Sequence, residues 1–263
     1  MAKNWLEGKR IVVIGGTAGI GLSAALAFVS EGAKVVVTGR DALHVEEASS
    51  KLRENGVALL SDAVVEGSAE AAIQRCHEQF GGFHGLYHVA GGSGRKYGDG
   101  PLHEITLEGW QKTMDINLTA LMLSNRAAAT YFLEKSQPGV ILNMSSVLAF
   151  SPSPEYFSTH AYAAAKSAVT GFSKSIAAYY ASKNIRVNVI APALLETPMS
   201  QRAANDEIIA KFISTKQPLD GGRIGIPADT DGLAVFLLSD AAKFVTGQVV
   251  SVDGGWAVTE GQY

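Results

Sequence analysis

Tyr162 and Lys166 stand four residues apart in Tyr-Ala-Ala-Ala-Lys, inside a segment rich in helix formers. At that spacing two side chains share one helical face. An ammonium beside a phenol favours the phenolate and lowers a pKa that starts near ~10, so Tyr162 is expected to exchange its proton near neutral pH. General acid–base work wants that match. The pair alone is a weak signal, because a tyrosine packed at an interface beside a solvated lysine has the same spacing.

A second cluster is Gly15-Gly16-Thr17-Ala18-Gly19-Ile20-Gly21, which follows the apolar run Arg10–Ile14 and leads directly into Leu22-Ser23-Ala24-Ala25-Leu26-Ala27-Phe28. Glycine clusters also make plain turns, but strand, glycine turn and helix in that order are the context expected of a dinucleotide site. Gly15 permits a tight turn, Gly19 lets backbone approach a pyrophosphate, and Gly21 lets the helix pack closely on the strand. The helix N-terminus then faces the phosphates.

These residues need a scaffold, and the hydrophobic pattern supplies one. Short β-branched runs at Arg10–Ile14, Lys34–Thr38, Val57–Leu60, Gly85–Val89, Val140–Met144, Ile185–Ile190 and Gln248–Val252 predict seven strands. Between them Gly19–Glu31, Asp41–Asn55, Ser68–Gln79, Thr106–Glu134, Ala161–Ser182 and Pro227–Leu238 have helical composition or length. Such alternation predicts an α/β fold, a doubly wound parallel (Rossmann-like) sheet with helices on both faces, and explains why the strands are continuously hydrophobic. With no linker or repeat, the 263 residues are expected to form a single domain. Unusual loops near 91–101, 150–160 and 197–226 leave the carboxyl edge of the sheet, where ligands bind in such folds, and are the expected substrate walls.

Composition narrows the partners. Lys and Arg total 22 against 25 Asp and Glu, without a run of five like charges, which argues against nucleic acid and anionic membranes. No stretch approaches the roughly 20 apolar residues of a membrane span, and the start lacks a secretion signal. Cys76 is the only cysteine, so an internal disulfide and a cysteine-rich zinc site are ruled out and a reducing cytoplasm fits best. The six histidines show no metal-ligand spacing, and no metal is expected.

The glycine spacing Gly-x-x-x-Gly-x-Gly resembles that of the short-chain dehydrogenase/reductase family, with Ile14 where the family has threonine. The resemblance runs from about Arg10 to Trp256 in the family's order: glycine loop, Asp62, Ala90-Gly91, Asn117, Ser146, Tyr162 with Lys166, Pro192 to Thr197, and Val252-Asp253-Gly254-Gly255. His88-Val89 replaces Asn-Asn and Ala193 replaces a glycine. The resemblance implies a hydride transfer between NADP(H) and a carbonyl or alcohol, as in ketoreductases. Tyr162 would be the general acid/base, Ser146 would bond the substrate oxygen, and Lys166 would hold the nicotinamide ribose. Asn117 would interrupt its helix and hold a water of a proton relay. Cofactor contacts are implied at Gly15, Thr17, Ala18, Gly19, Ile20, Gly21, Arg40, Asp62, Ala63, Ala90, Gly91, Tyr162, Lys166, Pro192, Ala193, Leu195 and Thr197.

Several positions keep two readings. Ser145 is a strand terminator or the alternative to Ser146; Asp62 accepts from the adenine amine or is an ordinary turn residue. His88 reads first as a hydrogen-bonded histidine ending a buried strand. Arg95, Lys96 and Tyr97 are a solvated tip or greet an anion. An alcohol or sugar dehydrogenase acting in oxidation would use the same residues, and a regulator that kept the fold without turnover is the non-enzymatic alternative. Cofactor choice rests on Thr38-Gly39-Arg40. Gly39 fills the position where NAD enzymes place an acid, and the guanidinium of Arg40 suits the extra phosphate of NADP unless Asp41 draws it away. Gly39→Asp is accordingly expected to favour NADH. Relatives pair through the helices that begin near Thr106 and Ala161, which implies a homotetramer.

Overall fold

The computed structural model describes residues 4–197, 200 and 205–261. Seven parallel strands, β1 (Arg10–Ile14), β2 (Lys34–Gly39), β3 (Gly56–Leu60), β4 (Gly85–His88), β5 (Gly139–Met144), β6 (Ile185–Pro192) and β7 (Val249–Val252), form one sheet in the order β3-β2-β1-β4-β5-β6-β7. All seven expected strands are present, with ends shifted by one or two residues. Alternate side chains of a strand point to opposite faces. In β1, Ile11 and Val13 enter one core and Val12 and Ile14 the other. Helices α1 (Gly19–Ser30) and α2 (Ala42–Leu52) contribute Phe28 and Leu52 to the first core. Helices α3 (Ser68–Phe80), α5 (Ala120–Glu134) and α6 (His160–Tyr180) contribute Ile73, Phe132 and Ala177 to the second. Both faces are therefore covered, as the uninterrupted hydrophobic strands require.

The expected helix of Thr106–Glu134 is broken. Helix α4 (Leu107–Met114) passes into a π turn at Asp115–Thr119 before α5 begins. Asn117 causes the widening: its Nδ2 donates to the Thr113 carbonyl at 2.9 Å and to the Gly92 carbonyl at 2.9 Å. A side chain inserted into the helical ladder in this way costs little backbone satisfaction, and such π turns are frequent at functional sites. Helix α7 (Glu207–Lys216) lies in the long loop after β6, and α8 (Asp231–Leu238) packs on the first core. Part of the expected substrate loop at 197–226 lies outside the described residues. No helix among the described residues is long and apolar enough to cross a membrane.

Strand order reverses at β1, whose neighbours are β2 and β4. The pairing sets Ile14 beside both Thr38 and His88, so the loops after β1, β2 and β4 leave the sheet side by side. That arrangement opens a crevice at the carboxyl edge, the topological switch point where ligands bind in open α/β sheets.

Candidate active site

A cleft of about 600 Å³ occupies this edge. Its lining includes Gly15, Thr17, Ala18, Gly19, Ile20, Arg40, Asp62, Ala63, Ala90, Gly91, Ser146, Tyr162, Lys166, Pro192, Ala193, Leu195 and Thr197. Two of the expected residues stand behind the surface. Asn117 is fully buried, and Gly21 is packed within the turn, where a Cβ would come within 2.9 Å of the Gly16 Cα. Gly15 has φ +82 and would place a Cβ 2.6 Å from the Ala90 N, so the first turn closes directly on the loop after β4. Helix α1 has no side-chain cap and no acid in its first turn. Its free amides and positive end therefore point into the cleft, which fits an anionic pyrophosphate.

At the other end the chemistry converges. The Ser146 hydroxyl accepts from the Leu148 N–H at 3.2 Å and lines the cleft together with the Tyr162 phenol. Ser145, one residue earlier, faces away: its hydroxyl donates to the Lys166 carbonyl at 2.8 Å and ties β5 to α6. The two serines thus have separate positions. Lys166 Nζ donates to the Met144 carbonyl at 3.0 Å and lies 5.6 Å from the centre of the Tyr162 ring. A Cβ at Gly91 would meet the Asn117 Oδ1 at 2.7 Å and Lys166 Nζ at 3.2 Å, so only glycine admits this approach.

The electrostatics correct one expectation. Burial pulls the Lys166 ammonium down to about 8, and burial also pushes the Tyr162 phenol above its ordinary value, with the Ser146 hydroxyl acting in the opposite direction. Desolvation sets the direction, and the Lys166 Nζ, bonded to the Met144 carbonyl and 5.6 Å from the ring centre, does not reverse it. In the protein alone Tyr162 is held as the neutral phenol, a proton donor.

His88 is completely buried. Nε2 lies 3.1 Å from the Ala90 carbonyl and Nδ1 2.8 Å from the Ser124 hydroxyl, so Nε2 carries the proton. Burial, then the Lys166 charge, lowers its pKa to about 3. It is a neutral, bonded strand end. Asp62 keeps both of its readings, since Oδ1 accepts from the Val64 N–H at 3.2 Å while the residue lines the cleft. Asp41 caps α2 by accepting from the His44 N–H at 3.1 Å, and the exposed Arg40 lines the cleft beside it.

The loop after β4 is not a bare tip. Arg95 donates to the Tyr156 carbonyl at 3.3 Å and Lys96 Nζ lies 4.8 Å from the Tyr97 ring centre. Lys96, and after it Arg40, holds the Tyr97 phenol below its usual range. Phe157, in the expected substrate loop 150–160, walls the cleft beyond Ser146 together with Leu148 and Trp256, which sequence reasoning did not single out. Sequence reasoning also missed Asp99, a buried carboxylate at the start of α6. Asp99 has no local signature, because its partners lie 62 and 63 residues away in the sequence.

A nucleotide-sized cleft at the switch point, with a glycine turn at one end and a serine–tyrosine–lysine set at the other, defines a dinucleotide-binding oxidoreductase architecture. The comparisons agree. The family model described as enoyl-(acyl carrier protein) reductase matches residues 15–257. The 3beta-hydroxysteroid dehydrogenase 1 of Eggerthella lenta is 34% identical over 97% of this chain and 96% of its own length. A 3-oxoacyl-[acyl-carrier-protein] reductase of Chlamydia trachomatis is 33% identical over 96% and 98%. Among solved structures, a short-chain type dehydrogenase/reductase from Mycobacterium ulcerans superposes with TM-score 0.88 at 30% identity, covering 97% of this chain and 92% of that one. The 3-ketoacyl-(acyl-carrier-protein) reductase of Brucella melitensis complexed with NADH gives 0.84 at 28% identity, covering 96% and 100%. The chain belongs to the short-chain dehydrogenase/reductase family, and it is an oxidoreductase of that family.

Proposed function

We propose that this protein is an NADP(H)-dependent carbonyl reductase in which Tyr162 delivers the proton to the substrate oxygen. The bound cofactor supplies the hydride. The observation that carries the reading is that Ser146, Tyr162 and Lys166 line the inner end of the cleft together, with Lys166 Nζ 5.6 Å from the centre of the Tyr162 ring. A carbonyl oxygen entering there can accept from both hydroxyls, and charge developing on it is neutralised by the phenolic proton. Lys166 holds the nicotinamide ribose, while Asn117 supports the proton path behind it. Pro192, Ala193, Leu195 and Thr197 flank the nicotinamide, and the first turn of α1 takes the pyrophosphate. Arg40 takes the extra phosphate, a role supported by its exposure and by the engagement of Asp41 with His44.

Cofactor and substrate ends would belong to one domain of a cytoplasmic homotetramer. Leu107 on α4 and Tyr179 on α6, 82% and 77% exposed, support association through these helices, and sedimentation tests it. The catalytic reading is tested with a panel of ketones followed by nicotinamide absorbance. Tyr162→Phe should lose about a hundred- to ten-thousandfold in rate and keep cofactor binding. A rate within about threefold of the parent would overturn the mechanism.

A further inference from the structure

Tyr162 is the third residue of α6. It sits in the turn where a helix is held least well, because the first amides have no carbonyl partner within the helix. Thr159, in the capping position, makes no side-chain bond to that turn and lies at the cleft instead. The acceptor arrives from elsewhere in the chain. Asp99 Oδ1 accepts from the Ala161 N–H at 2.9 Å and Oδ2 from the Tyr162 N–H at 3.0 Å, across 62 and 63 residues of sequence. Asp99 is 6% exposed, so water competes little for these bonds. A carboxylate also suits the positive end of a helix of 21 residues.

A short strap delivers this carboxylate. Its beginning is fixed by Asn117, whose Oδ1 accepts from the Gly92 N–H at 3.0 Å while Nδ2 donates to the Gly92 carbonyl at 2.9 Å. Its end is folded by the Asp99 N–H, which donates to the Gly94 carbonyl at 3.1 Å. Gly94 allows that turn, since a Cβ there would lie 2.9 Å from the Asp99 Cβ. Residues 92–99 therefore run from Asn117 to the backbone of Tyr162.

The geometry points to Asp99 as a positioning residue: by capping α6 from the loop after β4, it fixes the Tyr162 phenol against Ser146. It also links that placement to Ala90 and Gly91 at the start of the same loop. The inference rests on Tyr162 being the proton donor.

Asp99→Asn keeps the shape and one acceptor but turns the second atom into a donor facing an N–H; Asp99→Ala removes both acceptors. Each variant is assayed at a temperature where circular dichroism shows it folded. Misplacing a reacting group by about 1 Å costs up to about a hundredfold. On that scale kcat should fall about tenfold in Asp99→Asn and about a hundredfold in Asp99→Ala, with KM and cofactor affinity within about twofold of the parent. Combined with Tyr162→Phe, Asp99→Ala should add less than about threefold, because a residue acting through another loses its effect when that one is removed. Folded Asp99 variants with kcat within about twofold of the parent, or losses that multiply fully with Tyr162→Phe, would overturn the assignment. If Asp99→Ala does not fold, Asp99→Asn decides alone. A Tyr162→Phe protein with the parent's rate would instead overturn the proton-donor reading beneath it.

Discussion

A side chain on Gly39 has no room beside Thr17: a Cβ there would stand 2.9 Å from the Thr17 Cβ and closer still to its hydroxyl. The end of β2 and the third residue of the glycine turn are thus fitted to each other. The acid that would accept from the ribose hydroxyls of NAD is excluded by shape. Gly39→Asp alone is therefore expected to weaken binding of both cofactors, which revises the expectation that it simply favours NADH. Thr17→Gly with Gly39→Asp should recover NADH binding. Isothermal titration of the three proteins checks this, and improved NADH affinity in the single variant would count against the fit.

On the proposed function, Arg40 is the cation that distinguishes the cofactors. A charge-assisted bond contributes roughly 1.5–3 kcal/mol, or about ten- to a hundredfold. Catalytic efficiency with NADPH should exceed that with NADH by at least about tenfold and approach parity in Arg40→Ala. An undiminished preference in that variant, measured by steady-state kinetics, would sink the assignment.

Ser145 and Ser146 should separate cleanly. Ser145→Ala removes a buried bond to the Lys166 carbonyl and is expected to lower stability by about 1 kcal/mol while leaving kcat within about threefold. Ser146→Ala removes a hydroxyl that lines the cleft with the phenol, and its loss should appear in kcat, about a hundredfold or more. Urea unfolding and turnover on the same samples decide it.

His88 gives the protein an acid-sensitive limb. Its pKa is about 3 in the folded chain against 6.5 for the free side chain. Between those values the unfolded chain binds the extra proton, so stability is fully present above 6.5 and is lost as the pH falls toward 3. His88→Asn should flatten thermal midpoints across that window. An unchanged slope would show that acid unfolding is set elsewhere.

Lys166 acts in the opposite range. Its pKa is about 8 in the folded chain against 10.5 unfolded, so the cofactor-free protein gains stability as the pH rises from 8 to 10.5 and carries the full desolvation cost below 8. Lys166→Met should raise the thermal midpoint at pH 7 by about 2–4 °C and abolish turnover, as active-site charges held for function often allow. A lower midpoint would mean that the bond to Met144 outweighs burial.

The sequence by itself determined the sheet, its helices and the edge at which chemistry occurs. Periods of two and 3.6 residues are local, and the pleat of β1 sends Ile11 and Val12 to opposite cores wherever that strand is placed. The glycine turn and the Tyr162–Lys166 spacing were legible for the same reason. Tertiary structure decided what depends on neighbours distant in the chain. Ser145 and Ser146 are alike in composition, and only the placement of α6 against β5 spends the hydroxyl of Ser145 on the Lys166 carbonyl, while that of Ser146 accepts from the Leu148 N–H at the cleft. The π turn at Asn117 follows from a loop carbonyl at Gly92, 25 residues away. The direction of the Tyr162 shift is set by burial, a property of the packed molecule, which overrides the attraction that the spacing to Lys166 implied. Asp99 has no pattern to read, because its partners become neighbours only after the strap from Gly92 folds onto the first turn of α6.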